Sequence, residues 1–156
     1  MSFRAILASG LTSLFLAACG AEPTTAAKIN PTVEISDLYI VAPAPGRNMT
    51  GGGMKITATD GDFRLISAAS EVADRVELHT MSMEDDMMRM RQVDGYDIPA
   101  GETFVLEPGG PHLMLFGLDT NLEAGNTAEM LFTFENADGE SVTLNYPAEI
   151  RGRGER

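Results

Sequence analysis

The chain has 156 residues, a formal net charge of −12 and a single cysteine. That length supports one domain with a real core and is short for two. The negative charge argues against nucleic acid or an anionic membrane surface as a partner, and one cysteine excludes an internal disulfide.

The first segment, MSFRAILASGLTSLFLAACG, has basic Arg4, then an apolar run, then small residues. That is the build of a secretory signal peptide, and the run is short for a membrane-spanning helix. Leu16-Ala17-Ala18-Cys19 resembles the lipobox of bacterial lipoproteins. The resemblance implies that residues 1–18 are removed and that Cys19 is lipidated as the first mature residue. Ordinary cleavage nearby, giving a soluble secreted protein, is the alternative. With Cys19 lipidated, the mature domain has no free thiol, which suits an oxidising compartment. Residues 19–30 (ending AEPTTAAKIN) then read as a tether, 31–150 as the domain and 151–156 (RGRGER) as a flexible tail.

From Pro31 onward, short alternating or β-branched runs recur. TVEISDLYIV, MKITAT, FRLISAA, RVELHTM, MMRMRQV, TFVLE, HLMLFGL, AEMLFTFEN and SVTLNYPAEI make about nine strand candidates. Turn signals separate them, among them Thr59-Asp60-Gly61-Asp62, Ile98-Pro99-Ala100-Gly101, Pro108-Gly109-Gly110-Pro111 and Ala137-Asp138-Gly139. No segment shows a sustained helical period, and at most a short turn of helix could form near Ala68–Asp74. Gly51-Gly52-Gly53 reads as a bulge or flexible turn, because it lacks phosphate-loop spacing. Met54 and Met130 read as core filler. The pattern predicts an all-β domain, an antiparallel sandwich or Greek-key barrel.

Five methionines fall between Met81 and Met90, among Glu84, Asp85, Asp86 and Arg89. Such charge argues against a buried segment, and Glu84-Asp85-Asp86 reads as a solvated hairpin tip. The chain's two histidines each precede a methionine by two positions in a predicted strand, as His79-Thr80-Met81 and His112-Leu113-Met114. Residues i and i+2 of a strand share a face. Glu77, His79 and Met81 thus face away from Val76 and Leu78, and His112 and Met114 face away from Leu113 and Leu115. Packing the leucines inward would leave imidazoles and thioethers together at a surface.

Imidazole with thioether and no thiolate suits Cu(I). Zinc sites usually take Cys, His or carboxylate, calcium wants spaced oxygens, and a blue-copper carrier needs a cysteine ligand. The residues alone fit a metal site about as well as structural histidines beside a methionine-rich protein-contact patch. No arrangement of nucleophile, acid and base appears, so no enzyme is expected.

His79, ten residues, Met90, twenty-one residues, then His112-Leu113-Met114 resembles the H-x10-M-x21-H-x-M signature of the periplasmic copper chaperones called PCuAC. VELHTM, MRMR, IPAGETFVLEPGG, HLMLFGL and LEAGNTAEMLFTFE are similar to family segments, so the likeness runs from about Thr32 to Ile150. It implies a cupredoxin-like β-sandwich holding one Cu(I) through His79, Met90, His112 and Met114, with Met81 as a possible auxiliary contact. It further implies a membrane-anchored periplasmic monomer. Delivery would go toward the copper A centre of cytochrome c oxidase (subunit II), with a Sco-type protein alongside. A copper-sequestering lipoprotein and a non-metal interaction module are the rival readings. The sequence departs from the family at Pro111, at Phe116-Gly117, at Leu38-Tyr39-Ile40-Val41 and at Gly51-Gly52-Gly53, and no departure removes a ligand. RGRGER carries neither His nor Met, which argues against a second, C-terminal copper site.

Overall fold

The computed structural model describes residues 32–84, 86–118 and 122–155. The signal segment, Cys19 and the tether lie outside the described residues. The strands are β1 (Val33–Val41), β2 (Met49–Ala58), β3 (Phe63–Ser70), β4 (Ala73–Glu84), β5 (Met87–Gln92), β6 (Tyr96–Ile98), β7 (Thr103–Leu106), β8 (His112–Leu118), β9 (Thr127–Asn136) and β10 (Ser141–Arg151). The all-β expectation holds, with ten strands where about nine were expected. The extra one is β6, whose three residues are too few for alternation to reveal.

Alternation accounts for most of the rest. In β9, Ala128, Met130, Phe132 and Phe134 are buried while their neighbours point outward, the period of two that a half-buried strand imposes. Met54 and Met130 are both in the core.

Two local expectations are corrected. Ala68–Asp74, the one stretch left open to a helical turn, is sheet: β3 runs to Ser70 and β4 starts at Ala73, leaving Glu71 and Val72 as the turn. Ser70 pairs with Met130 in the ladder, and its hydroxyl donates to the Glu129 carbonyl at 2.7 Å. Pairing with β9 thus satisfies the backbone that a single helical turn would leave open. The three glycines are neither a bulge nor a flexible turn. They lie inside β2, opposite Tyr39 and Ile40 of β1 and Leu113 and Met114 of β8. A Cβ on Gly52 would come within 2.5 Å of the Tyr39 carbonyl oxygen, and one on Gly53 within 2.3 Å of that of Leu106. Close backbone approach, not a turn, is what requires glycine there.

The strands form one hydrogen-bonded path, β5-β4-β8-β2-β1-β10-β9-β3-β6, with β7 on the second half of β2. Every pairing is antiparallel except β1 with β10. Strands β3 and β4 follow each other in the chain without pairing, so the chain changes layer at Glu71-Val72. Residues from both ends of the path share one core: Leu78, Leu113 and Leu115 beneath β4 and β8, with Leu65, Phe132 and Phe134 beneath β3 and β9. The sheet therefore curls into a sandwich around its apolar face. At one end of the path, β5 is an edge strand with all six residues exposed.

Candidate metal centre

Strand β4 runs between β5 and β8, and its register places every residue of interest. His79 lies opposite His112 on β8 and Gln92 on β5; Met81 lies opposite Met90; Glu77 lies opposite Met114. Cross-strand partners share a face, as do i and i+2. His79, Met81, Met90, His112 and Met114 therefore occupy one face of the three strands. The opposite face of β4 and β8 carries Leu78, Leu113 and Leu115, all in the core.

The two imidazoles are less open than the sequence suggests. His79 is 9 % and His112 6 % exposed, whereas Met90 is 48 % exposed. The rings cover each other with centroids 5.9 Å apart, and the Phe116 ring lies 6.2 Å from that of His79. The expectation of imidazoles at a surface is thus corrected: they form a floor, with Met81 and Met114 half-buried beside them and Met90 at the open rim.

Their hydrogen bonds fix which nitrogens are free. The Nδ1–H of His112 donates to the Gly110 carbonyl at 2.8 Å, which leaves Nε2 with a lone pair. His79 is arranged the other way. Its Nε2–H donates to Glu77 at 2.8 Å, and Nδ1 is buried with no hydrogen-bond partner. A buried imidazole nitrogen without a partner costs free energy unless something fills its coordination. Anchoring one ring nitrogen by an acceptor while the other stays free is the usual arrangement of metal-ligating histidines.

Around this pair runs a polar chain. Arg75 stacks on Phe116 at 4.4 Å and donates to Glu77 at 2.8 Å, and Glu77 in turn receives the His79 ring. The hydrogen bond from His79, then that from Arg75, holds the Glu77 carboxyl below the usual carboxylate range. From the other layer, Tyr96 donates its hydroxyl to the His79 carbonyl. Burial pushes that phenol up to about 12, so it stays a donor. Met114 lies opposite Gly51, and a Cβ there would stand 3.9 Å from the Met114 sulfur. Glycine thus leaves one flank of that thioether uncovered.

Among the described residues, no three His, Cys, Asp or Glu side chains come together as a metal-binding group. A metal held on this face therefore draws on thioethers, which favours a soft ion over zinc or calcium. The sequence pattern places His79, Met81, His112 and Met114 on the side away from the leucines, and the register of β5 adds Met90. The pattern assigns no role to Glu77, although strand alternation puts Glu77 beside His79. Tyr96 and Gly110 carry no local signal, because only tertiary folding brings them to the histidines.

Comparison with known proteins follows the same outline. The family model LpqE-like, described as "Putative lipoprotein LpqE-like", matches residues 33–148. The "Putative lipoprotein Lxx21020" of Leifsonia xyli subsp. xyli is 31 % identical over 118 residues, covering 75 % of this chain and 69 % of the relative. Among solved structures, apo-DR1885 from Deinococcus radiodurans is 27 % identical with a TM-score of 0.58, covering 99 % of each chain. Its CuI-DR1885 form is 28 % identical with a TM-score of 0.57, covering 88 % of this chain and 85 % of that one. The copper-bound PCuAC domain from PmoF2 has a TM-score of 0.61 over 78 % of this chain and 93 % of that one. At 22 % identity it speaks for the fold alone.

Proposed function

We propose that this chain, which belongs to the LpqE-like family, is an extracytoplasmic lipoprotein that carries one Cu(I) ion and passes it to an acceptor. The ligands in this reading are His79, His112, Met90 and Met114, with Met81 within reach of the same face. The observation that carries it is the buried, unpartnered Nδ1 of His79, beside a His112 whose hydrogen bond leaves Nε2 free. Likeness to DR1885, whose structure is known in a CuI form, supports the choice of ion. Lipidation at Cys19 would supply the anchor, in keeping with the family's description.

The chemistry is ligand exchange. The ion is cargo, stays Cu(I) throughout, and no electron moves. The imidazoles give a fixed base, while Met90, on an exposed edge strand, is the ligand an acceptor reaches first. A thioether is the weaker partner when an acceptor offers thiolates, so release starts at the rim. Delivery toward the copper A centre of cytochrome c oxidase, with a Sco-type protein, is the destination we propose from the PCuAC resemblance.

The test is an anaerobic Cu(I) titration of the full chain carrying Cys19→Ser, in detergent, against a coloured Cu(I) chelator. His79→Ala, Met90→Ala, His112→Ala and Met114→Ala run beside it. One tight equivalent, weakened by each substitution, is expected; no competition, or equal binding by every variant, would sink the copper reading. Gene deletion then separates delivery from storage. Loss of oxidase activity at limiting copper marks a chaperone, whereas failure only at high copper marks a buffer.

A further inference from the structure

Two methionines that the proposed site does not use stand in line with it. Met83 of β4 lies opposite Met88 of β5, just as Met81 lies opposite Met90. Both pairs are on the face that carries His79. The face thus reads outward as His79 beside His112, then Met81 with Met90, then Met83 with Met88. Successive rungs are about 7 Å apart, the advance of two strand residues. Met83 is 65 % and Met88 59 % exposed, so neither fills a core.

The charges on the hairpin are sorted by face. Arg89, Arg91 and Glu84 all alternate onto the opposite side, where Glu84 pairs with both arginines. Among the described residues, the two methionine rungs therefore present no arginine to repel an incoming cation and no carboxylate to favour a hard one; Arg75 and Glu77 share this face but lie beyond His79 and are paired with each other. Met87 faces Glu84 and belongs to the charged side.

We propose that Met83 and Met88 form an outer site for a soft monovalent metal ion, Cu(I) being the one expected. From it the Met81–Met90 rung leads to the inner site. This rests on the copper reading of the His79–His112 site. Movement between rungs is thioether exchange at an ion of constant charge: an inner sulfur bonds as an outer one leaves, and no oxidant is needed.

The experiment is an anaerobic Cu(I) titration of the full chain carrying Cys19→Ser in detergent, followed by NMR of 13C-labelled methionine methyl groups. Two steps are expected. The Met90 and Met114 methyls shift with the first equivalent, and the Met83 and Met88 methyls shift together with the second, while Met87 stays put. In Met83→Leu/Met88→Leu the second step is lost and the first is unchanged. In His79→Ala/His112→Ala the first is lost and the outer pair still responds. If the first step occurs but Met83 and Met88 never move, or Met87 moves equally with them, the outer site is overturned. If the first step is missing from the chain that carries only Cys19→Ser, the inner site falls instead, and a Met83/Met88 response alone would leave the outer one standing.

Discussion

His79 and His112 face each other across β4 and β8 with ring centroids 5.9 Å apart, and they are anchored through opposite nitrogens. His79 is held by a carboxylate on its own strand, two residues back. His112 is held by a backbone carbonyl of the preceding loop. The two anchors differ in kind, so they respond differently to substitution.

Glu77 is the anchor that mutation can reach. Its carboxylate fixes the His79 tautomer and makes the ring a better electron donor, the role of an outer partner to a metal-bound imidazole. Glu77→Ala is expected to weaken Cu(I) binding about 10–100-fold, the usual cost of removing such a partner. Glu77→Gln keeps an acceptor and is expected to lose less. Chelator competition measures both. Unchanged affinity in Glu77→Ala would show that the carboxylate only anchors Arg75 over Phe116.

The sequence makes the His/Met face legible because a strand reports its faces every second residue. His79-Thr80-Met81 and His112-Leu113-Met114 need only extended backbone to align, and the buried Leu78 and Leu113 set which side is inward. The burial of the imidazoles is not legible, since it arises from pairing β4 with β8 and from Phe116 closing over His79. Nor is the role of Gly51-Gly52-Gly53. Composition marks glycine as conformational freedom, whereas here Gly52 and Gly53 answer to carbonyl oxygens of β1 and β7 that no local pattern announces. Strand β6 is missed because three residues carry too little alternation.

Tyr96 comes from that missed strand and holds the backbone of β4 at His79. Tyr96→Phe removes one buried hydrogen bond to the His79 carbonyl, which still faces the β8 ladder, and such a bond contributes about 0.5–1.5 kcal/mol. Urea denaturation at neutral pH should show that loss. The phenol adds a pH signature: burial raises it from 10.0 to about 12 in the folded chain. A raised folded value means the unfolded chain gives up this proton first. The contribution is therefore complete below 10.0, and it falls away as the pH climbs toward about 12. Wild type should lose stability across that window more steeply than Tyr96→Phe. Parallel alkaline profiles would show that Tyr96 is not shielded from water as described.

The three glycines of β2 should separate sharply under a single substitution. Alanine at Gly52 would push a methyl to 2.5 Å from the Tyr39 carbonyl oxygen, and alanine at Gly53 to 2.3 Å from that of Leu106. Both oxygens belong to paired strands and cannot swing aside as a side-chain tip can. Overpacking of this kind costs at least about 1–3 kcal/mol. Gly51 differs, because its added Cβ would meet the Leu113 oxygen at 3.5 Å and the Met114 sulfur at 3.9 Å, both ordinary contacts. Gly51→Ala is expected to be neutral or stabilising by up to about 1 kcal/mol, through loss of unfolded-state freedom. Thermal melts of the three variants decide the matter. Gly52→Ala and Gly53→Ala should melt well below wild type and Gly51→Ala at or above it; equal melting of all three would mean that β1 and β7 do not approach β2 as closely as described. In Gly51→Ala the methyl also covers the open flank of Met114. On the copper reading, a lowered Cu(I) affinity in that variant would show that Met114 needs this open flank when it holds the ion, and an unchanged affinity that it does not.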